Sequence, residues 1–295
     1  MQEMGCLTSG SMILTSKGYK EIQSIQSIQS SDLVYTCNGN WKPIVIQEEK
    51  IYVGEVMHIK TLGSTTPISV TFEHPFLTKC IIGTGLGKDD FELSKKTSWT
   101  PASSIKVGKH VLCIPIEQAN QPVNINIQIE DEQRTITKID WFMVGYYVGK
   151  GKHVLDVDFI PPGWNILREF TSDPSAEIAI CNHIPEWVQR LPIKDIDSFI
   201  RGFERSAKSI DVFIVMNEIV ALHIQRLYAK LKRFVSIHID TCIVILCPMR
   251  DHALFDDEYM YVPINSITNS RKEITVYNLQ VADDNSYVVE NLATR

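Results

Sequence analysis

Short β-branched and aromatic runs separated by turn residues fill the chain from Cys6 to about Ile116. The runs are Met12–Thr15, Leu33–Thr36, Ile44–Ile46, Met57–Lys60, Ile68–Phe72 and Val111–Ile114, with turn signals at Lys17-Gly18, Asn38-Gly39-Asn40 and Leu62-Gly63-Ser64. This spacing predicts β-structure. The period then changes. Residues 139–149 are apolar nearly all round, and Gly145 and Gly149 fall one helical turn apart, on one face. Ile196–Arg205 also reads as a helix. In Asn217–Leu231 the apolar positions 219, 220, 224, 227, 228 and 231 predict a one-sided, amphipathic helix.

Composition narrows the class. With 295 residues, 44% hydrophobic and 22% charged, the chain can build one large or two medium cores. A net charge of -6 argues against a surface made to grip nucleic acid. Seven scattered cysteines, with no C-x-x-C, give neither a disulfide framework nor zinc spacing. Cys242 and Cys247 lie on opposite faces of a strand-like run and do not pair with each other. The N-terminus lacks a signal-peptide pattern, and no apolar run reaches the roughly 20 residues that span a bilayer. An intracellular, reducing compartment and no membrane contact are expected. The Ile-Gln-Ser repeat at 22–30 suits no repeat architecture. Gly83–Lys88 has the wrong glycine spacing for a phosphate loop, with Asp89 where Ser or Thr is needed.

The candidate chemistry lies at Thr71-Phe72-Glu73-His74, considered with Cys6. A strand-like run delivers a hydroxyl and, three residues on, an imidazole able to move a proton at neutral pH. Cysteine is the strongest nucleophile among the side chains. On its own, Thr-x-x-His equally fits a half-buried strand end carrying a surface histidine.

Four stretches resemble the conserved blocks of inteins, in the family's order. They are Cys6–Thr15 continuing through Ser31–Val34, Thr71–Pro75, Ser104–Pro115, and Val276–Val289. The resemblance implies a mainly β Hint splicing domain, discontinuous, with an inserted α/β domain. Residues 1–5 would be an upstream extein remnant. The splicing domain would take 6–117 and 259–295, with a linker at 118–134 and the insert at 135–258. The family's reaction implies that Cys6 attacks the carbonyl of Gly5, His74 protonates the leaving nitrogen, and Thr71 bonds the same peptide. Asn278 and Asn285 stand where the family carries an acid or cysteine and a histidine. Arg295 falls at the penultimate position, where the family usually has His, and no terminal Asn or downstream nucleophile follows. Completion of splicing is therefore not expected. No cofactor is implied, and the partners would be the flanking host segments.

The middle resembles a LAGLIDADG homing endonuclease in its two glycine-bearing helices, in His183–Trp187 and in Asn217–Leu231. That family ends each helix in a metal-holding acid. Lys150 and Ala207 occupy those positions here, so the insert is expected to be a degenerate nuclease without a bound metal, with DNA binding weak or lost. Two other readings compete: a DNA-binding homing endonuclease supported by the β domain, and a hedgehog-like autoprocessing domain that would leave the insert unexplained.

Overall fold

The β-branched and aromatic runs at both ends of the chain form strands, as pleated, half-buried surfaces favour. The computed structural model describes residues 5–25, 33–64, 66–83, 92–117, 126–129, 132–135, 138–150, 152–154, 178–180, 183–206, 212–215, 217–240, 243–249 and 254–295. The chain divides into two compact units, Met1–Ile116 with Arg250–Arg295, and Glu117–Met249. The fold is mainly β.

The N-terminal part of the first unit supplies β1 (Leu7–Thr8), β2 (Met12–Thr15), β3 (Gly18–Glu21), β4 (Leu33–Tyr35), β5 (Trp41–Thr61), β6 (Ile68–Thr71), β7 (Pro75–Cys80), β8 (Ser98–Pro101) and β9 (His110–Pro115). The second unit holds β10 (Asn126–Ile129), β11 (Glu132–Thr135), α1 (Lys138–Lys150), β12 (Lys152–Val154), β13 (Ile178–Ile180), α2 (Ile193–Ser206), β14 (Phe213–Val215), α3 (Glu218–Lys230), β15 (Phe234–Asp240) and β16 (Ile243–Met249). The chain returns to the first unit with β17 (Leu254–Phe255), β18 (Tyr259–Val281), β19 (Tyr287–Val289) and β20 (Leu292–Thr294).

Among the described residues, the first unit is one sheet of 13 strands. Its spine is the antiparallel pair β5–β18, which runs from Ile44↔Val281 to Thr61↔Ile264. The runs expected at Ile44–Ile46 and Met57–Lys60 are therefore one strand of 21 residues. The polar stretch between them stays extended because β18 supplies hydrogen-bond partners along its length, while Ile51 and Val53 face solvent. β18 continues past β5 to pair with β9. The core beneath is built from Leu7, Ile13, Leu14, Tyr35, Phe76 and Tyr287, all buried.

Two boundaries differ from the sequence expectation. Residues 254–258 belong to the first unit, because Leu254 and Phe255 pair with Tyr261 and Met260. Within the expected linker and one residue past it, Asn126–Ile129 and Glu132–Thr135 pair antiparallel, with Ile127 opposite Arg134. Residues 118–125 and the Thr84–Lys88 part of the glycine-rich loop lie outside the described residues, as does most of the Ile-Gln-Ser repeat.

In the second unit α1 and α2 pack through glycines. A Cβ on Gly145 would sit 1.8 Å from the Phe199 carbonyl oxygen, and one on Gly202 would sit 1.8 Å from that of Phe142. Side chains there would force the helix backbones apart. Asn217 caps α3 by accepting from the Val220 amide at 2.9 Å. The expected one-sided stripe on α3 is corrected: Val220 through Lys230 are buried all round. The polar members find partners inside. Gln225 donates to the Val235 carbonyl at 3.1 Å, and Arg226 and Lys230 face Glu117 at 3.4 and 3.6 Å.

Candidate functional site

A three-residue turn, Phe72-Glu73-His74, joins β6 to β7. β1, at the start of the chain, pairs with β6 through Leu7↔Val70, and β20, at its end, pairs with β7 through Thr294↔Phe76. Both ends are thus stitched to the two strands that flank His74. The turn is held by its own backbone. The His74 amide donates to the Thr71 carbonyl at 3.1 Å, and the amides of Ala102 and Ser103 donate to the carbonyls of His74 and Phe72 at 2.8 and 2.9 Å.

Thr71 grips the peptide before Cys6. Its Oγ1 accepts from the Cys6 amide at 2.8 Å, and its own amide donates to the Cys6 carbonyl at 3.0 Å. The nitrogen of the Gly5–Cys6 bond is therefore fixed by a buried hydroxyl. Gly5 lies flat against the turn, where a Cβ would come within 2.3 Å of His74 Cα and 2.8 Å of His74 N. Only glycine fits this approach without moving the backbone.

Cys6 is in no disulfide and is 2% exposed. Burial raises its pKa, Lys50 opposes that rise through its charge and a hydrogen bond, and Glu48 adds to it. The Tyr287 hydroxyl is buried with no hydrogen-bond partner among the described residues. Burial first, and negative charge at Cys6 second, push its pKa up.

His74 is fully buried, not the surface histidine that a strand end allows. Desolvation lowers its pKa to about 3, against a smaller opposing pull from the Gly5 backbone. The imidazole is neutral at pH 7. Nε2 lies 2.6 Å from Thr294 Oγ1, while Nδ1 makes no hydrogen bond among the described residues. Phe76 packs edge-on at 5.2 Å between ring centroids.

A cleft of about 700 Å3 opens beside this group, and Gly5, Glu48, Glu73, Trp99, Asn278, Asn285 and Arg295 are among its lining. Asn278 stands opposite Glu48 in the β5–β18 ladder. Asn285 is exposed in a left-handed conformation, φ 51°, which asparagine tolerates better than most residues. The Arg295 guanidinium lies over Trp99, 4.9 Å from the ring centroid. The structure thus gathers Gly5, Cys6, Thr71, His74, Asn278, Asn285 and Arg295 around one turn and one cleft.

Lys150 and Ala207 belong to the other unit. Lys150 ends α1 exposed, its ammonium 5.3 Å from the centre of the Tyr146 ring, and Ala207 lies outside the described residues. A Cβ on Gly149 would fall 2.0 Å from Ser206 Oγ, so the C-terminal ends of α1 and α2 lie side by side.

Thr294, Lys50 and Tyr287 escape sequence reasoning. Their signal is faint: a hydroxyl and a phenol in an apolar C-terminal run, and a lysine in a polar stretch. Only the strand register reveals that Tyr287 stands directly opposite Thr294.

No protein-family model matches the sequence, and comparison with curated proteins finds no match. Among solved structures, the chain is similar to a GSH-linked, splice-inactive variant of the AceL NrdHF class 3 split intein. The two share 14% identity at a TM-score of 0.27, over 45% of this chain and 71% of that one.

Proposed function

We propose that the chain is an intein whose first unit activates the Gly5–Cys6 peptide by an N–S acyl shift. The observation that carries this reading is the hydrogen bond from the Cys6 amide to Thr71 Oγ1, made on the turn that places His74 against Gly5. Cys6 Sγ attacks the Gly5 carbonyl carbon, the C–N bond breaks, and Gly5 becomes a thioester of Cys6. The proton of the thiol ends on the new amine.

A neutral His74 suits that transfer. An imidazole with a pKa of about 3 is not a standing proton donor at pH 7. It first accepts the thiol proton, and the imidazolium, strongly disfavoured in its dry site, then yields it readily to the departing nitrogen. Thr71 meanwhile holds that nitrogen in place. Asn278, Asn285 and Arg295, around the cleft, would serve later steps, with the flanking host segments as the partners. None of the three is a general base at neutral pH.

The second unit fits a degenerate LAGLIDADG-like domain. Supporting this are the helix pair packed through Gly145, Gly149 and Gly202, and the exposed lysine at the end of α1. A plasmid carrying the uninterrupted host site should survive incubation with the protein and Mg2+, and specific linearisation would contradict this part of the proposal.

The splicing reading is tested by intact-mass measurement in dithiothreitol at neutral pH. Loss of Met1–Gly5, abolished by Cys6→Ala, is expected. Unchanged mass, or equal loss from the Cys6→Ala protein, would overturn it.

A further inference from the structure

Thr294, in β20, reaches the His74 turn that lies against the N-terminal junction. Its hydroxyl is fully buried between two partners, His74 Nε2 at 2.6 Å and the Pro75 carbonyl oxygen at 2.7 Å. A hydroxyl carries one hydrogen, and a carbonyl can only accept. With the hydrogen given to Pro75, the oxygen must accept from the ring, so Nε2 carries the proton. The neutral ring then has no second proton, and Nδ1 presents a bare lone pair. Among the described residues Nδ1 is also the ring atom without a hydrogen bond, and the backbone of His74 lies against Gly5.

We propose that Thr294 is a positioning residue that locks His74 in the Nε2–H tautomer and so aims a proton-accepting Nδ1 at the Gly5–Cys6 junction. The inference rests on the splicing reading for its consequence, but the tautomer itself does not. The lock has a specific chemical effect. The opposite tautomer would present an N–H at Nδ1, which cannot receive the thiol proton. It would also leave Nε2 competing with the Pro75 carbonyl for the Thr294 hydrogen. Because Thr294 stands in β20, the device makes activation at the first junction depend on the C-terminal strand being seated on β7. Tyr287, across the β19–β20 pair from Thr294, fills the same buried region.

The test uses the full chain labelled with 15N at histidine, without added thiol, and reads the two His74 ring nitrogens by long-range 1H–15N correlation at pH 7. The expected result is a protonated, pyrrole-like Nε2 and an unprotonated, pyridine-like Nδ1. Thr294→Val keeps the shape and removes the hydroxyl, and should mix or invert the tautomers. It should also slow dithiothreitol-induced loss of Met1–Gly5 by roughly 10- to 100-fold, the scale seen when the outer hydrogen-bond partner of a metal-ligating histidine is removed. Thr294→Ser, which keeps the hydroxyl, should restore both readouts. A protonated Nδ1 in the parent overturns the proposal, even if Thr294→Val fails to fold. So does a Thr294→Val protein with the parent's tautomer and rate. A parent with the expected tautomer that is inert to thiol would leave the lock standing and remove the splicing reading instead.

Discussion

Gly5→Ala is the sharpest perturbation of the site, because it adds one methyl group at its narrowest point. That methyl would lie 2.3 Å from His74 Cα, 2.8 Å from His74 N and 3.0 Å from the Glu73 carbonyl oxygen, all backbone atoms with no flexible end to swing aside. Reaching ordinary van der Waals contact requires Gly5 to retreat by about 1 Å. The turn is tied down by the Ala102 and Ser103 amides, so the junction moves rather than the turn. A displacement of about 1 Å at reacting atoms costs on the order of 10²-fold in rate. Thiol-induced loss of Met1–Gly5, followed by intact mass, should slow by about that factor. The thermal midpoint should stay near the parent's, because residue 5 precedes the first strand. A Gly5→Ala protein that cleaves as fast as the parent would refute the claim that close contact between Gly5 and His74 positions the junction.

Three further outcomes are expected. Thr71→Val removes the acceptor of the buried Cys6 amide, so stability in denaturant should fall by about 1–3 kcal/mol, together with the cleavage rate; unchanged stability would mean that this bond is not made. Buried neutral, His74 has a folded pKa of about 3, below its unfolded value near 6.5. Between those values the unfolded chain binds the extra proton. The contribution is fully present above pH 6.5 and is lost as pH falls towards 3, at up to about 1.4 kcal/mol per unit. His74→Gln should flatten that part of the stability–pH curve, and an unaltered slope would show that His74 titrates normally. In the second unit, Gly202→Ala sets a methyl 1.8 Å from the Phe142 carbonyl oxygen and should destabilise that unit by about 3 kcal/mol or more, lowering its melting temperature. A melt identical to the parent's would mean that α1 and α2 are not packed backbone to backbone.

The strands were legible where short apolar, β-branched runs stand between turn residues, and the structure buries such runs almost continuously. Ile68–Thr71 and Val111–Ile114 fold as strands, and the glycine pair 145 and 149 marks a helix. What escaped was set by partners distant in sequence. The polar residues Gln47–Lys50 extend only because β18 lies beside them, and α3 is buried on its polar side because Glu117 meets its charges and the Val235 carbonyl meets its Gln225 amide. At the site, the pairing of hydroxyl and imidazole was visible in Thr71-Phe72-Glu73-His74, whereas the burial of His74 was not, since burial depends on strands from both ends of the chain. Thr294 had no local mark at all. Its importance comes from standing in register with Phe76.

The central claim is that Gly5 passes from an amide of Cys6 to its thioester. Hydroxylamine distinguishes the two directly, since it attacks thioesters at neutral pH and leaves peptide bonds intact. Incubated with hydroxylamine in place of thiol, the 295-residue chain should release Met1–Gly5 as a C-terminal hydroxamate and leave a protein beginning at Cys6, identified by mass. The Cys6→Ala protein should release nothing. An intact chain after prolonged incubation, or a released peptide bearing a carboxylate instead of a hydroxamate, would contradict the account.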